Sequence, residues 1–252
     1  MFNKLRYVLI QICFFIIIHK YYRIFRRGFY CSDETIQKEF HTLIIDVKCL
    51  FLFTLFLPLL VIFFVEKFHQ NYHQNDHCQK CSNSIRKSII RYLFGFMINL
   101  NFTMIVKRSI GKLRPFTYRF CNLDRYCSEG SIDRYISTFE CINKEFPFFI
   151  DEPRESFFSG HSALGTFAGI YLNYFLHTHF YSAVVERQSP NSSSKSLRKY
   201  LFFIAQILLL ILSMIPGYTQ YINNWHFLSD ILVGFVVGST IAFLHYRLTF
   251  KR

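Results

Sequence analysis

Acidic residues are scarce in this 252-residue chain, with 16 Asp and Glu against 29 Lys and Arg, a formal charge of +13. Glycine is scarce as well, at 10 residues without a period, which excludes a collagen-like repeat. No unit of about 20 to 50 residues recurs, so a repeat array is excluded. Eight cysteines in so long and apolar a chain do not make a small disulfide knot. Apolar residues are plentiful instead: 52% of the chain is hydrophobic and 19% aromatic, including 32 Phe, far too much for a disordered chain. They come in long blocks separated by charged stretches, the pattern of a membrane protein.

Six blocks stand out. Tyr200 to Gly217, broken only by Gln206 and Pro216, is long enough to cross about 30 Å of hydrocarbon at about 1.5 Å per residue. Cys49 to Val65 is nearly as strong, with Pro58 inside it, and Phe227 to Tyr246 is interrupted early by Asp230. Tyr92 to Val106 contains Asn99 and Asn101, and Ser162 to Phe180 contains Asn173 and His177. Polar groups there are costly against lipid, so they should face the bundle, where the Asn side chains would hydrogen-bond between helices. Tyr7 to Ile18 is short, and the residues after it form no small-residue cleavage site; it reads as a first span with snorkelling ends. The expected fold is an all-α, integral-membrane bundle of six helices forming one domain over residues 1–252. Lys and Arg are close to evenly divided between the two faces, so the positive-inside rule gives no orientation.

Cys31, Cys121, Cys127 and Cys141 fall on one face and could form two bridges in any of three connectivities. On the other face, His69, His73, His77, Cys78 and Cys81 could supply zinc ligands, although a lone Cys-x-x-Cys in a polar loop reads at least as well as a solvated segment. Glu186 to Lys199 reads as a flexible linker, and Asn191-Ser192-Ser193 fits the glycosylation pattern.

Alternation of the spans brings three distant segments to one face. Span three ends at Lys107-Arg108-Ser109-Ile110-Gly111-Lys112-Leu113-Arg114-Pro115; span four follows Phe158-Ser159-Gly160-His161; span six follows Trp225-His226-Phe227-Leu228-Ser229-Asp230. Arg114 can hold a phosphate through two parallel hydrogen bonds and Lys107 acts as a point charge. Ser159 and Gly160 at a helix N-terminus offer backbone N–H groups to an anion. His226 and Asp230, four apart, should lie one turn apart on a helix, the carboxylate fixing the tautomer of a nucleophilic imidazole. His161 can act as general acid. Taken singly, each has a plainer role: headgroup contact for Lys and Arg, an interfacial position for His, a helix cap for Ser. The buried Asp230 is harder to dismiss, because a carboxylate in an apolar stretch needs a partner.

With these residues in view, the chain resembles the type 2 phosphatidic acid phosphatases, in particular the animal lipid phosphate phosphatases, over roughly residues 5 to 246. The family's signatures are Lys-x6-Arg-Pro, Pro-Ser-Gly-His and Ser-Arg-x5-His-x3-Asp. The first is complete here, the second has Phe158 for Pro, and residues 27–34 and 55–60 resemble the family's segments after span one and in span two. The resemblance implies a six-helix bundle with cytosolic termini and an extracellular or lumenal active face in the plasma membrane or an endomembrane. It implies hydrolysis of a lipid phosphate monoester without a metal or other cofactor, through a phosphohistidine on His226. Asp230 would orient His226, His161 would protonate the leaving alcohol, and Lys107, Arg114, Ser159 and Gly160 would bind phosphate. Expected partners are the membrane and the lipid phosphate, with homo-oligomerisation left open. Nucleic acid is disfavoured because the basic residues flank spans. The third motif departs from the family: Thr219-Gln220 stands for Ser-Arg, and Asn223 for a frequent Asp. Gln220 brings no charge, which implies weakened catalysis unless Lys112 or Arg119 substitutes. The alternative is a non-catalytic relative that binds phospholipid or scaffolds partners, with a transporter as a third reading.

Overall fold

Apolar runs this long satisfy their backbone internally, and the chain is accordingly mostly helical. The computed structural model describes residues 2–72, 79–127, 134–179, 181 and 192–250. In order these form α1 (Phe2–Tyr21), β1 (Phe29–Tyr30), α2 (Val47–Phe51) continuing through a π-helical turn (Leu52–Phe56) into α3 (Leu57–Tyr72), α4 (Gln79–Ile110), α5 (Thr117–Phe120), β2 (Tyr135–Ile136), α6 (Gly160–Leu176), α7 (Ser192–Ile222) and α8 (Leu228–Phe250), with short 3-10 turns between. Among the described residues four segments are long and apolar enough to cross a membrane: Val47–His69, Ser84–Ile110, Ser196–Ile222 and Leu228–Thr249. These four coincide with expected spans two, three, five and six, while α1 and α6 occupy the places of spans one and four. The helices run past the apolar blocks because polar residues leaving the membrane still keep the helical hydrogen-bond ladder. One consequence is a correction: Ser192 to Lys199, read as linker, begins α7. His73, His77, Cys78 and Asn191 lie outside the described residues, and among the described ones no group of His, Cys, Asp and Glu is arranged to hold a metal.

The bundle is built around α6, which packs on α7, α8 and α4. Its close approach to α7 depends on Gly165, where a Cβ would meet the Ser213 carbonyl oxygen at 2.5 Å. A Cβ on Gly238 of α8 would run into the carbonyl of Ala163. Inside lie Tyr92, Phe96, Phe167, Tyr171 and Phe175 with Ile62 and Ala242. The outer face of α7 leaves Leu201, Leu208, Ile211 and Leu212 exposed, as a helix facing acyl chains does. The polar intruders bridge helices as expected: Asn99 donates to the Ala163 carbonyl at 2.9 Å, Asn101 to the Gln11 side chain at 2.6 Å, and Asn173 to the Gln206 carbonyl at 3.1 Å.

One end of the bundle carries a cap with its own core, in which Phe29, Phe116, Phe120, Leu123, Phe139 and Trp225 come together. Here the all-α expectation needs amending, since β1 and β2 form a two-stranded antiparallel sheet, Phe29 opposite Ile136. Of the three connectivities the structure has Cys31–Cys127, which staples the cap to the segment after α1, and Cys121–Cys141, which closes a loop within the cap. Trp225 donates its indole N–H to the His41 carbonyl at 2.7 Å, tying the approach to α8 into the cap.

Candidate functional site

Three chain segments meet where the cap joins the bundle. The last turn of α4 supplies Lys107, and the segment Gly111–Pro115 turns back beneath the cap, with Gly111 in the left-handed region at φ 58°. A side chain at Gly111 would run into the Phe25 backbone, so the turn requires glycine. Ser159 caps α6 as expected, its hydroxyl accepting from the Ser162 N–H at 3.4 Å, and its own N–H donates to the Asp230 carbonyl at 3.0 Å. Gly160 lies beside Lys107; a Cβ there would be 3.8 Å from Lys107 Cε. The Arg114 guanidinium sits 4.7 Å over the Trp225 ring and reaches the Trp225 carbonyl at 3.4 Å. Thus Lys107 lies beside Gly160, Ser159 is bonded to the Asp230 carbonyl, and Arg114 rests on Trp225, the residue before His226. His161 starts α6 and its Nε2 lies 3.1 Å from the Ile45 carbonyl, which can only accept, so the proton is on Nε2.

The His226–Asp230 pair differs from expectation. Their Nδ1 and Oδ2 atoms are 3.9 Å apart, beyond hydrogen-bonding distance, and Nδ1 is buried without a hydrogen-bond partner. The reason is local: α8 starts at Leu228, so His226 precedes the helix and the one-turn register does not apply. The Asp230 carboxylate, fully buried at 0% exposure, is engaged elsewhere. Lys112 Nζ donates to Oδ1 at 2.6 Å and Ser156 Oγ to Oδ2 at 2.6 Å.

The cations have resting partners too. Arg114 donates from Nε to the Glu152 carbonyl at 2.7 Å and from Nη2 to the Glu152 carboxylate at 2.6 Å, while Lys107 donates to the Glu155 carbonyl. Burial raises the Glu155 carboxyl above its ordinary value, with Lys107 opposing. Burial, together with the Lys107 and Arg114 charges, pushes the His226 imidazole well below its ordinary value, so it is neutral at physiological pH and carries a free lone pair. His226 also borders a cavity of about 750 Å³ walled by Glu34, Lys38, Pro115, Tyr221 and Phe227, an approach from the cap side.

Sequence reasoning missed Ser156, Glu152 and Glu155. The signal available was the crowding of Asp151, Glu152 and Glu155 into five residues of an acid-poor chain. Of the two stand-ins considered for the third-motif Arg, Lys112 is in the site, whereas Arg119 is exposed and paired with Glu39 at 3.0 Å. Gln220 is fully buried, and neither atom of its amide has a hydrogen-bond partner. Asn223 is buried with its Nδ2 likewise unpartnered.

Comparison with known proteins gives one family and several relatives. The sequence profile of the PAP2 superfamily matches residues 88–252. Phospholipid phosphatase 1 of Rattus norvegicus is 29% identical over 242 residues, covering 91% of this chain and 77% of its own length. Phospholipid phosphatase homolog 1.2 homolog of Caenorhabditis elegans is 25% identical over 224 residues, 84% of this chain and 62% of its own. Phospholipid phosphatase 2 of Mus musculus is 26% identical over 232 residues, 88% of this chain and 76% of its own. The chain therefore spans about three fifths to three quarters of the length of these relatives. No solved structure matches it.

Proposed function

Because the chain belongs to the PAP2 superfamily, we propose that it hydrolyses lipid phosphate monoesters through a phosphohistidine on His226. The carrying observation is the meeting of Lys107 and Arg114, Ser159 to His161, and His226 with Asp230, which are up to 123 residues apart in sequence, around one buried imidazole held neutral. In this reading His226 Nε2 attacks phosphorus as the bond to the alcohol oxygen breaks, and His161, protonated on both nitrogens once the anionic substrate is bound, gives its Nε2 proton to the departing oxygen and is left neutral. Water then attacks the phosphohistidine with His161 taking the proton back, releasing phosphate and restoring His226. Lys107, Arg114 and the Ser159 and Gly160 end of α6 hold the phosphoryl oxygens. No step in this route requires a metal ion or cofactor.

A lipid as the alcohol is supported by an apolar groove of about 280 Å³ between the π-helical turn before α3, α6 and α7. Ile45, whose carbonyl meets His161, lines its end, alongside Thr54, Ala168, Leu212 and Pro216. Phosphatidate, lysophosphatidate and sphingoid phosphates all fit this chemistry. In the same reading α1 and α6 join the four apolar segments to make a six-span protein, and the two disulfides favour an extracellular or lumenal face for the cap and site. A non-catalytic phospholipid binder is favoured by one observation, the uncharged Gln220. The deciding experiment is phosphate release from a short-chain phosphatidate by the detergent-solubilised protein in excess chelator, beside His226→Ala. Release lost together with phosphoenzyme in His226→Ala is the expected result; turnover that survives it overturns the mechanism, and lipid binding without release favours the binder.

A further inference from the structure

Lys112 stands apart from the other cations of the site. Its ammonium lies 2.6 Å from Asp230 Oδ1, yet its side chain is 29% exposed while that of Asp230 is 0% exposed, so it reaches the carboxylate from the open side. The rings of Phe227, 4.5 Å away, and Phe157, 5.7 Å away, flank it. These rings hold a cation without fixing its direction. Among the described residues Asp230 is its one hydrogen-bond partner, which leaves two of three N–H donors for another acceptor. His226 Nδ1, unpartnered, faces the other oxygen of that carboxylate, Oδ2, at 3.9 Å, so the Lys112 bond to Oδ1 and the Ser156 bond to Oδ2 hold the group short of the imidazole. Arg114 and Lys107, by contrast, are tied to Glu152 and Glu155, acceptors outside the reaction.

We propose that Lys112 is a phosphate-binding residue that exchanges partners during the reaction, leaving Asp230 for the phosphoryl oxygens of the substrate and thereby handing Asp230 to His226 Nδ1–H. The inference rests on the phosphatase reading and names the cation that takes the place of the charge absent at Gln220. A phosphate dianion, with twice the charge of a carboxylate and three acceptor oxygens, competes well for an ammonium at short range. The released carboxylate then accepts from the imidazole as positive charge develops on it, the moment at which that hydrogen bond is strongest. Nothing is oxidised or reduced, and the only proton shared in the exchange stays on His226 Nδ1.

The test compares Lys112→Met, Lys112→Arg, Gln220→Arg and the double variant Lys112→Met/Gln220→Arg in the full-length protein. Readouts are kcat and KM for a short-chain phosphatidate and inhibition by orthovanadate. Lys112→Met should lower kcat/KM about 10²-fold, the scale for losing one charged donor aimed at the transition state, and weaken vanadate inhibition. Lys112→Arg should keep most of the rate. Gln220→Arg should raise kcat/KM far more in the Lys112→Met background than in the wild type, because the two cations serve the same oxygens. A salt bridge that is only structural predicts the opposite: lower thermal stability in Lys112→Met, unchanged vanadate inhibition and no rescue, and that outcome overturns the proposal. A wild type without His226-dependent release refutes the phosphatase reading itself. Vanadate-induced thermal stabilisation in a His226→Ala background then still scores Lys112: its loss on adding Lys112→Met supports the proposal, and its persistence overturns it.

Discussion

Two buried carboxylates, one at each end of the bundle, are built alike. Asp230 accepts from Lys112 and Ser156 and lies 3.9 Å from a histidine; Glu66, also buried, accepts from Ser84 at 2.9 Å and Ser88 at 2.5 Å, with His179 Nε2 at 3.8 Å. A carboxylate, hydroxyl donors and a nearby imidazole therefore do not by themselves mark a reactive centre. The surroundings differ. Asp230 shares its end with Lys107, Arg114 and Lys112, the N-terminus of α6 and a cavity that reaches His226. Glu66 joins α3 to α4 and to His179 just past α6, and the His179 ring stacks on Phe175 at 4.3 Å. The lesson is that a reactive centre needs positive charge and access, whereas a helix-joining cluster needs only satisfied hydrogen bonds.

That contrast can be broken most directly by removing each charge. Asp230→Asn should cost about 10² to 10⁴ in kcat, the range for losing the orienting partner of a catalytic histidine, while Glu66→Gln should leave kcat within a few-fold. Steady-state phosphate release measures both, and equal losses would erase the distinction. A smaller effect is expected one bond further out. Ser156→Ala should lower kcat about tenfold by loosening Asp230, whereas Ser88→Ala should leave kcat alone and cost about 1 kcal/mol of stability, read by thermal inactivation. The subtlest sharpening is the pH profile. The His226 nucleophile is active when neutral, and its depressed pKa places protonation below the ordinary imidazole range near 6.5. The acid limb of kcat/KM should therefore fall only well below that pH. Removing a nearby positive charge with Lys107→Met should move the limb to higher pH, since less repulsion opposes protonation; a limb that stays in place would mean that burial and Arg114 set it.

The site was unevenly legible beforehand. Lys107, Arg114, Ser159, Gly160 and His161 could be placed at helix ends because the apolar blocks beside them end there, and block length is a local property. The four-residue spacing of His226 and Asp230 predicts one helical turn, but α8 starts at Leu228, which takes His226 off that register. Glu152 and Glu155 gave little warning, since a loop shows no partner until it folds back under the cap, where the Glu152 carboxylate meets Arg114, the Glu155 carboxylate meets Arg108 and the Glu155 carbonyl meets Lys107. The two disulfides were open to three pairings for the same reason, as sequence separations of 96 and 20 residues say nothing about which sulfurs approach.

What the sequence determined by itself was a chain of long apolar helices with basic, Ser-Gly-His and His-to-Asp clusters at their ends. Hydrophobic length, glycine spacing and the sites of polar interruption act within one segment and need no neighbour to be read. Which charge meets which emerges only on packing: Lys112 rather than His226 on Asp230, Glu152 on Arg114, Glu155 on Arg108. Such pairings depend on distances of a few ångströms between segments more than a hundred residues apart in one case and about forty in the others, and those distances exist only once α4, α6 and α8 have packed.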